Sequence, residues 1–201
     1  MLRIASLIVV PLAFVIAGCV TTTLEPTSVA PRYKRMDTAP APSAGSCVGL
    51  AGITVEDART KKELGSRSLQ ERPEVTQPIS FGGDAGGWVR SGAEDSLRRS
   101  GVNVGGGGKP TLRLKIERLE LSENVYRRAT YAGRVGLKAE VVGASGSNVC
   151  WSTRVSGTAE NYGYAGSAEN YEETMNHALD RAMNQLLGNE EFSGKACGCG
   201  K

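Results

Sequence analysis

The sequence predicts an α+β domain: a four-stranded, largely antiparallel sheet with two helices packed on one face, in the order β-α-β-β-β-α. Three observations carry that expectation. Leu112, Leu114 and Ile116 alternate with Arg113, Lys115 and Glu117, the period of a half-buried strand. Gly143 to Asn148 reads Gly-Ala-Ser-Gly-Ser-Asn, a hairpin turn by composition, and it separates two further alternating runs. Tyr171, Met175, Ala178, Leu179, Ala182, Met183 and Leu186 form one apolar stripe at helical spacing. One crossover followed by an antiparallel meander puts both helices over the same sheet face. The opposite face is more polar and is left to water or to a partner.

Residues 1–18 stand apart from that domain. Arg3 is followed by an apolar run from Ile4 to Ala17, broken only by Ser6 and Pro11, which ends in Ile16-Ala17-Gly18-Cys19. A basic start and an apolar stretch closing in small residues describe a secretory signal peptide. The run is shorter than the ~20 residues that span a bilayer. Its ending resembles a bacterial lipobox, which implies cleavage before Cys19 and attachment of lipid, palmitate included, to that thiol. The next residue is Val20 rather than aspartate, a pattern that resembles lipoproteins sorted to the outer membrane. Two or more acyl chains hold a protein stably where one does not, so the resemblance implies a lasting anchor with the domain in the periplasm.

Residues 19–46 read as a lipid-anchored, disordered tether. Three successive threonines are followed by Pro26, Pro31, Pro40 and Pro42, and nothing apolar recurs at a regular period. Such a chain reaches about 30 Å as a coil and about 80 Å fully extended. Arg32, Lys34 and Arg35 surround Tyr33; they are solvated linker charge or a contact for anionic headgroups or cell-wall polymer.

The domain is expected over residues 47–192. Val48 to Val55 reads as a first strand ending at Glu56-Asp57-Ala58-Arg59. Thr60 to Gly87, rich in proline and glycine, reads mostly as loop with a short strand near Ile79–Phe81. Val89, Ala93 and Leu97 then mark a helix beside Trp88, stopped by Gly101. In the strand from Leu112 the apolar phase slips by one residue to Leu119 and Leu121, which predicts a β-bulge near Glu117-Arg118. Val135, Leu137, Ala139 and Val141 form one face of the next strand, and Val149, Trp151, Thr153 and Val155 one face of its partner. Asn170 is placed to cap the last helix with Glu173 as its reciprocal partner, and Gly188 ends it. Residues 193–201 form a Cys/Gly tail.

The arrangement resembles the YajG-like family of bacterial lipoproteins. The lipobox, the proline-bearing tether, the first strand with Asp57-Ala58-Arg59, the helix Trp88–Ser100, the strand Thr111–Leu121, the Tyr131–Val142 hairpin and the terminal helix carry the resemblance. It covers roughly residues 47–190 and implies a cell-envelope lipoprotein domain, with no catalytic residues to carry over. More distantly, the layout looks like auxiliary lipoproteins of envelope lipid transporters.

The formal net charge is +3, and +2 once Arg3 leaves with the signal peptide, too small a bias to point to nucleic acid. Beyond Cys19 the chain has Cys47, Cys150, Cys197 and Cys199. An exported protein meets an oxidising compartment, and four thiols allow three pairings. A long-range bridge of Cys47 with Cys150 is favoured, with Cys197 and Cys199 pairing locally or competing for those partners. Two thiolates alone make an incomplete metal site, so neither a metal nor another cofactor is expected.

Other candidate chemistry is weak. Gly105 to Gly108 before Lys109-Pro110 fails as a phosphate loop, because Asn103 and Pro110 stand where glycine and Ser or Thr are needed. His177 is the only histidine and lies off the apolar stripe. Asp57 and Arg59 suit a turn-stabilising ion pair, and Arg127 and Arg128 a solvated loop. Tyr126, Tyr131, Tyr162 and Tyr164 form either a recognition rim or core-edge packing. No catalytic set converges, so the chain is expected to be no enzyme but a binding or scaffolding lipoprotein of the envelope. Its partners are then the membrane, through lipid, and an envelope protein or lipid. The alternative is an auxiliary subunit of an envelope lipid-transport system, which an apolar groove beside the open sheet face would favour.

Overall fold

A computed structural model of the chain describes residues 27–38, 42–43, 49–69, 71–106 and 109–199. The expected signal peptide, Cys19, the first part of the expected tether and Cys47 lie outside them. The strands are β1 (Thr27–Val29), β2 (Gly49–Leu50), β3 (Gly52–Asp57), β4 (Glu63–Leu69), β5 (Arg72–Phe81), β6 (Asn103–Val104), β7 (Thr111–Val125), β8 (Ala129–Val142) and β9 (Val149–Gly163). The helices are α1 (Ala85–Arg99), α2 (Ala168–Leu187) and α3 (Glu190–Gly198).

The expected four-stranded, largely antiparallel sheet with two helices is corrected. Seven strands form a mixed sheet in the order β1-β5-β4-β7-β8-β9, with β3 also paired to β7, and β2 and β6 make a separate two-stranded ribbon. β7, β8 and β9 are the antiparallel meander that the alternation predicts. β3 and β4 both lie parallel to β7 on its other edge, β3 along Thr111–Ile116 and β4 along Glu123–Val125. Between those stretches β7 shifts register between Ile116 and Arg118, so the bulge falls where the slipped phase puts it.

The stretch 60–87, expected to be mostly loop, instead holds the β4–β5 hairpin. β4 has one buried apolar residue, Leu64, and no alternation, so its pairing comes from backbone hydrogen bonds to β5 and β7. Pro78 is tolerated because, among the described residues, β1 pairs with β5 only from Ile79 to Phe81, and β5 has an open edge before it.

Both longer helices cover one sheet face, α1 over β3 and α2 over β8 and β9. Val89, Ala93 and Leu97 of α1 and all seven stripe residues of α2 are fully buried there, each large side chain stabilising the fold by about 1.5–3 kcal/mol. α2 begins earlier than expected. Ser167, not Asn170, is its N-cap and accepts from the Asn170 N–H at 3.4 Å, while Glu173 accepts from Asn161 instead. The expected tail is largely a third helix: Asn189 caps α3, and Phe192 and Ala196 are buried against the sheet end.

The tether is also revised. Thr27–Val29 is a strand of the sheet. The following strap crosses a polar row on α2 spaced four residues apart. Asn176 donates to the Arg32 carbonyl at 3.0 Å, and Asp180 accepts from the Met36 and Asp37 amides at 2.8 and 2.9 Å. Asn184 donates to the Asp37 carboxylate at 2.7 Å. Tyr33, inside the basic cluster, donates to Asp180 at 2.8 Å, so this part of the chain is held and not free.

Candidate functional site

Two elements meet at one end of the long strands: the β7–β8 turn and the loop from β9 into α2. They surround a hollow of about 490 Å³ lined by Tyr126, Arg127, Arg128, Tyr162 and Tyr164 among others, with no acidic residue in its wall. Tyr126, Tyr162 and Tyr164 are 57 %, 64 % and 89 % exposed, the three most exposed large apolar side chains of the described residues. The turn is tight. The Tyr126 amide donates to the Arg128 carbonyl at 3.2 Å, and the Arg127 guanidinium lies 5.7 Å from the Tyr126 ring centre. Three of the four candidate tyrosines thus lie exposed around this hollow. The fourth, Tyr131, is buried, stacks edge-on against Tyr171 at 5.0 Å, and donates to the Tyr164 carbonyl.

A buried carboxylate holds this end in place. Glu123 follows Leu119 and Leu121 on the inward phase of β7 and is 1 % exposed. It accepts from the Gly166 amide at 2.8 Å and from the Tyr171 hydroxyl. The Arg67 Nε lies 3.1 Å from it, an ion pair whose angle is too poor for a hydrogen bond. Burial, then the bond to Glu123, pushes the Tyr171 phenol well above its ordinary range; burial likewise raises Tyr131. The loop bearing Tyr164 is therefore fixed from beneath.

The uncovered face of β7, β8 and β9 carries a ladder of ion pairs. Arg154 pairs with Glu117 at 2.9 Å, Arg118 and Arg134 with Glu120 at 3.4 and 3.8 Å, and Arg113 and Lys138 with Glu140 at 3.5 and 2.6 Å. Lys138 above all holds the Glu140 carboxyl below the usual range, against the opposing effect of burial. Cross-strand pairs of opposite sign stabilise a water-facing sheet face modestly.

The other sequence candidates have structural uses. Asp57 and Arg59 form a two-point ion pair at 2.8 and 2.9 Å where the chain passes from β3 to β4, and Arg59 also lies 5.9 Å from the Phe81 ring centre. The Arg59 bond, then Lys62, holds the Asp57 carboxyl well below the usual carboxylate range. His177 is half-buried on α2, away from the Tyr/Arg end. Lys109 folds back over Gly49 and Gly106, and Gly107 and Gly108 lie outside the described residues.

Cys150 is bridged to Cys199, with Cα atoms 5.7 Å apart, which joins the start of β9 to the end of α3. The favoured partner of Cys150, Cys47, lies outside the described residues, as does the Cys197 side chain. Among the described residues no three His, Cys, Asp or Glu side chains gather as a metal site, and no helix is long and apolar enough to cross a membrane.

No protein-family model matches the chain. No curated protein matches it either. Among solved structures it is similar to a Xanthomonas campestris protein of the family DUF330, at 14 % identity over 84 % of this chain and 95 % of that one, with a TM-score of 0.49. It is similar to a homolog of a neuraminyllactose-binding hemagglutinin from Helicobacter pylori, at 10 % identity over 83 % and 97 % of the two chains, TM-score 0.45. It is also similar to a minor lipoprotein from Acinetobacter baumannii, at 9 % identity over 75 % and 93 %, TM-score 0.36.

Proposed function

We propose that the chain is a non-enzymatic lipoprotein, anchored through Cys19 in the bacterial outer membrane, whose domain is a binding or scaffolding module of the periplasmic side of the envelope. The anchor rests on the Ile16-Ala17-Gly18-Cys19-Val20 junction. The binding role rests on one observation above others: the sheet is apolar on the face under α1 and α2 and carries an ordered ladder of opposite charges on the face left open. A rigid, water-facing array of both signs suits a polar macromolecular partner through complementary charge, which gives specificity more than raw affinity. The three buried acids of the described residues, Glu123, Glu140 and Asp180, are each bound to a structural partner, which favours a non-catalytic reading.

The alternative, an auxiliary subunit of a lipid transporter, wants an apolar groove beside the open face. The hollow there is bordered by Glu117, Arg118, Arg134 and Arg154, which favours the first reading. Two measurements test the proposal. Palmitate labels the wild-type chain and not Cys19→Ala; equal labelling of both removes the anchor. A photo-crosslinker at Arg134, used in intact envelopes, gives a discrete protein adduct. Adducts to lipid alone from that position would replace scaffolding by lipid handling.

A further inference from the structure

We infer that the end of the domain carrying Tyr126, Tyr162, Tyr164, Arg127 and Arg128 lies on an anionic lipid surface, that of the membrane holding Cys19. The orientation rests on the lipid-anchor reading above; the chemistry of the end does not.

The register of the sheet fixes where the anchored chain joins it. Thr27 pairs with Ile79, Ile79 with Gly65, and Arg67 with Glu123, so Thr27 stands level with Leu121 of β7. From that level β7 needs five residues to reach Tyr126, about 17 Å at ~3.4 Å per residue. In the other direction it runs ten residues back to Thr111, about 31 Å after allowance for the extra residue of the bulge. β1 runs parallel to β5, whose first residue lies beside the tyrosine end, so Thr27 is the end of β1 nearer the tyrosines.

Between Cys19 and Thr27 there are eight residue steps, at most about 28 Å when fully extended. A lipid on Cys19 therefore lets the tyrosine end reach the headgroups with slack to spare. The opposite end, with the β8–β9 turn and α3, stands about 31 Å from that level, at the limit of this reach, so the short tether favours the tyrosine end.

The side chains at that end fit a headgroup layer. Tyrosine concentrates at membrane–water interfaces, where its ring meets apolar matter and its hydroxyl meets water. Arg127 and Arg128 add two cations with no acid in the hollow's wall, and a basic residue near an anionic leaflet contributes about a fivefold gain in binding. The Glu123 network holds the loop rigid, so little order is lost on contact.

The test uses the whole mature chain with Cys19→Ser, which has no lipid of its own, and two kinds of vesicle: phosphatidylcholine alone and phosphatidylcholine with about one-third phosphatidylglycerol. The parent chain sediments with the anionic vesicles and much less with the neutral ones. R127A/R128A lowers that binding by about fivefold for each arginine removed, and Y162S/Y164S lowers it on both vesicles. Arg134→Ala, on the open sheet face, leaves it unchanged. Near-ultraviolet circular dichroism confirms that each variant stays folded. Absence of binding by the parent, undiminished binding by both end variants, or loss with Arg134→Ala overturns the inference. Palmitate labelling of the wild type scores the anchor apart from this: a labelled chain whose Cys19→Ser form ignores vesicles loses the orientation and keeps the anchor. An unlabelled chain that binds them loses the anchor and keeps a lipid-binding end.

Discussion

Glu123 and Asp180 are both 1 % exposed carboxylates, and each pins an irregular segment that apolar packing could not hold. Asp180 receives two backbone amides and the Tyr33 hydroxyl, all from the strap more than 140 residues earlier. Glu123 receives one amide and the Tyr171 hydroxyl, and in addition faces the Arg67 cation. At Asp180 a buried charge is solvated mainly by dipoles of a peripheral segment. At Glu123 it is paired with a second charge inside the sheet. Loss of the first frees an edge of the molecule, whereas loss of the second strands a cation within it.

Glu123→Gln is the largest expected break in that comparison. The amide keeps the size of the side chain and removes the charge opposite Arg67, whose side chain is only 16 % exposed. Breaking a buried pair from one side costs about 3–5 kcal/mol. The urea midpoint should fall accordingly, and the 163–167 loop should become open to proteases.

Asp180→Asn should cost less, about 2 kcal/mol, since one amide oxygen can still accept while the new N–H₂ confronts strap donors. Its signature is local: trypsin cuts after Lys34 or Arg35 under conditions that leave the core intact. If Asp180→Asn lowered the urea midpoint as much as Glu123→Gln, the strap would be an integral part of the core and the contrast would fail.

A matched pair of changes sharpens it further. Tyr171→Phe removes one hydroxyl from Glu123, and Tyr33→Phe removes one from Asp180 together with its longer, 3.4 Å contact to Asp95. Tyr171 is fully buried and Tyr33 half-buried, so the former should cost about 1.5 kcal/mol and the latter nearer 0.5 kcal/mol. Burial first, then Asp180 or Glu123, raises both phenols above their ordinary range. A raised folded-state value means that this stability is whole below the ordinary phenol pKa of about 10 and is lost as pH rises beyond it. Each Phe variant should therefore be weaker than wild type at neutral pH and show a flatter alkaline limb when unfolding is followed against pH.

What the sequence made legible divides along the same line. Elements whose burial is apolar and periodic were readable: α1, α2, the β7–β9 meander, and the bulge at Glu117, because a one-residue slip must be accommodated. Elements fixed by polar contacts were not. β4 has no alternation, the alternation of Val75, Ile79 and Phe81 in β5 is broken by Gln77 at an inward position, and the prolines and glycines of the stretch read as loop. The strap read as tether because its partners lie on a distant helix. A signal existed in both acids, however. Glu123 stands on the inward phase of an apolar alternation, and Asp180 sits in the row Asn176, Asp180, Asn184 at four-residue spacing. A polar residue at an inward position demands a partner, and searching for one would have pointed to buried contacts. Tyr126, Tyr162 and Tyr164 were legible as candidates, but their exposure beside a buried Tyr131 depends on which strand ends coincide.

Asp57 supplies the calibration, since it is an acid of the same sheet that stays partly in water. Its side chain is 23 % exposed and is held by Arg59 and Lys62 at the passage from β3 to β4. Arg59 first, then Lys62, depresses its folded-state pKa, so its contribution is present above the ordinary carboxylate value of about 4 and fades as pH falls through the lower folded-state value. Asp57→Asn should cost about 1 kcal/mol at neutral pH, the partial exposure screening the pair, and almost nothing in strong acid. The difference between wild type and variant, taken from urea midpoints at neutral pH and near pH 2, should therefore shrink. A difference that held constant would mean that the Asp57 carboxylate stabilises the junction by shape and hydrogen bonding that survive protonation, and burial would no longer explain why Glu123 and Asp180 cost more to lose.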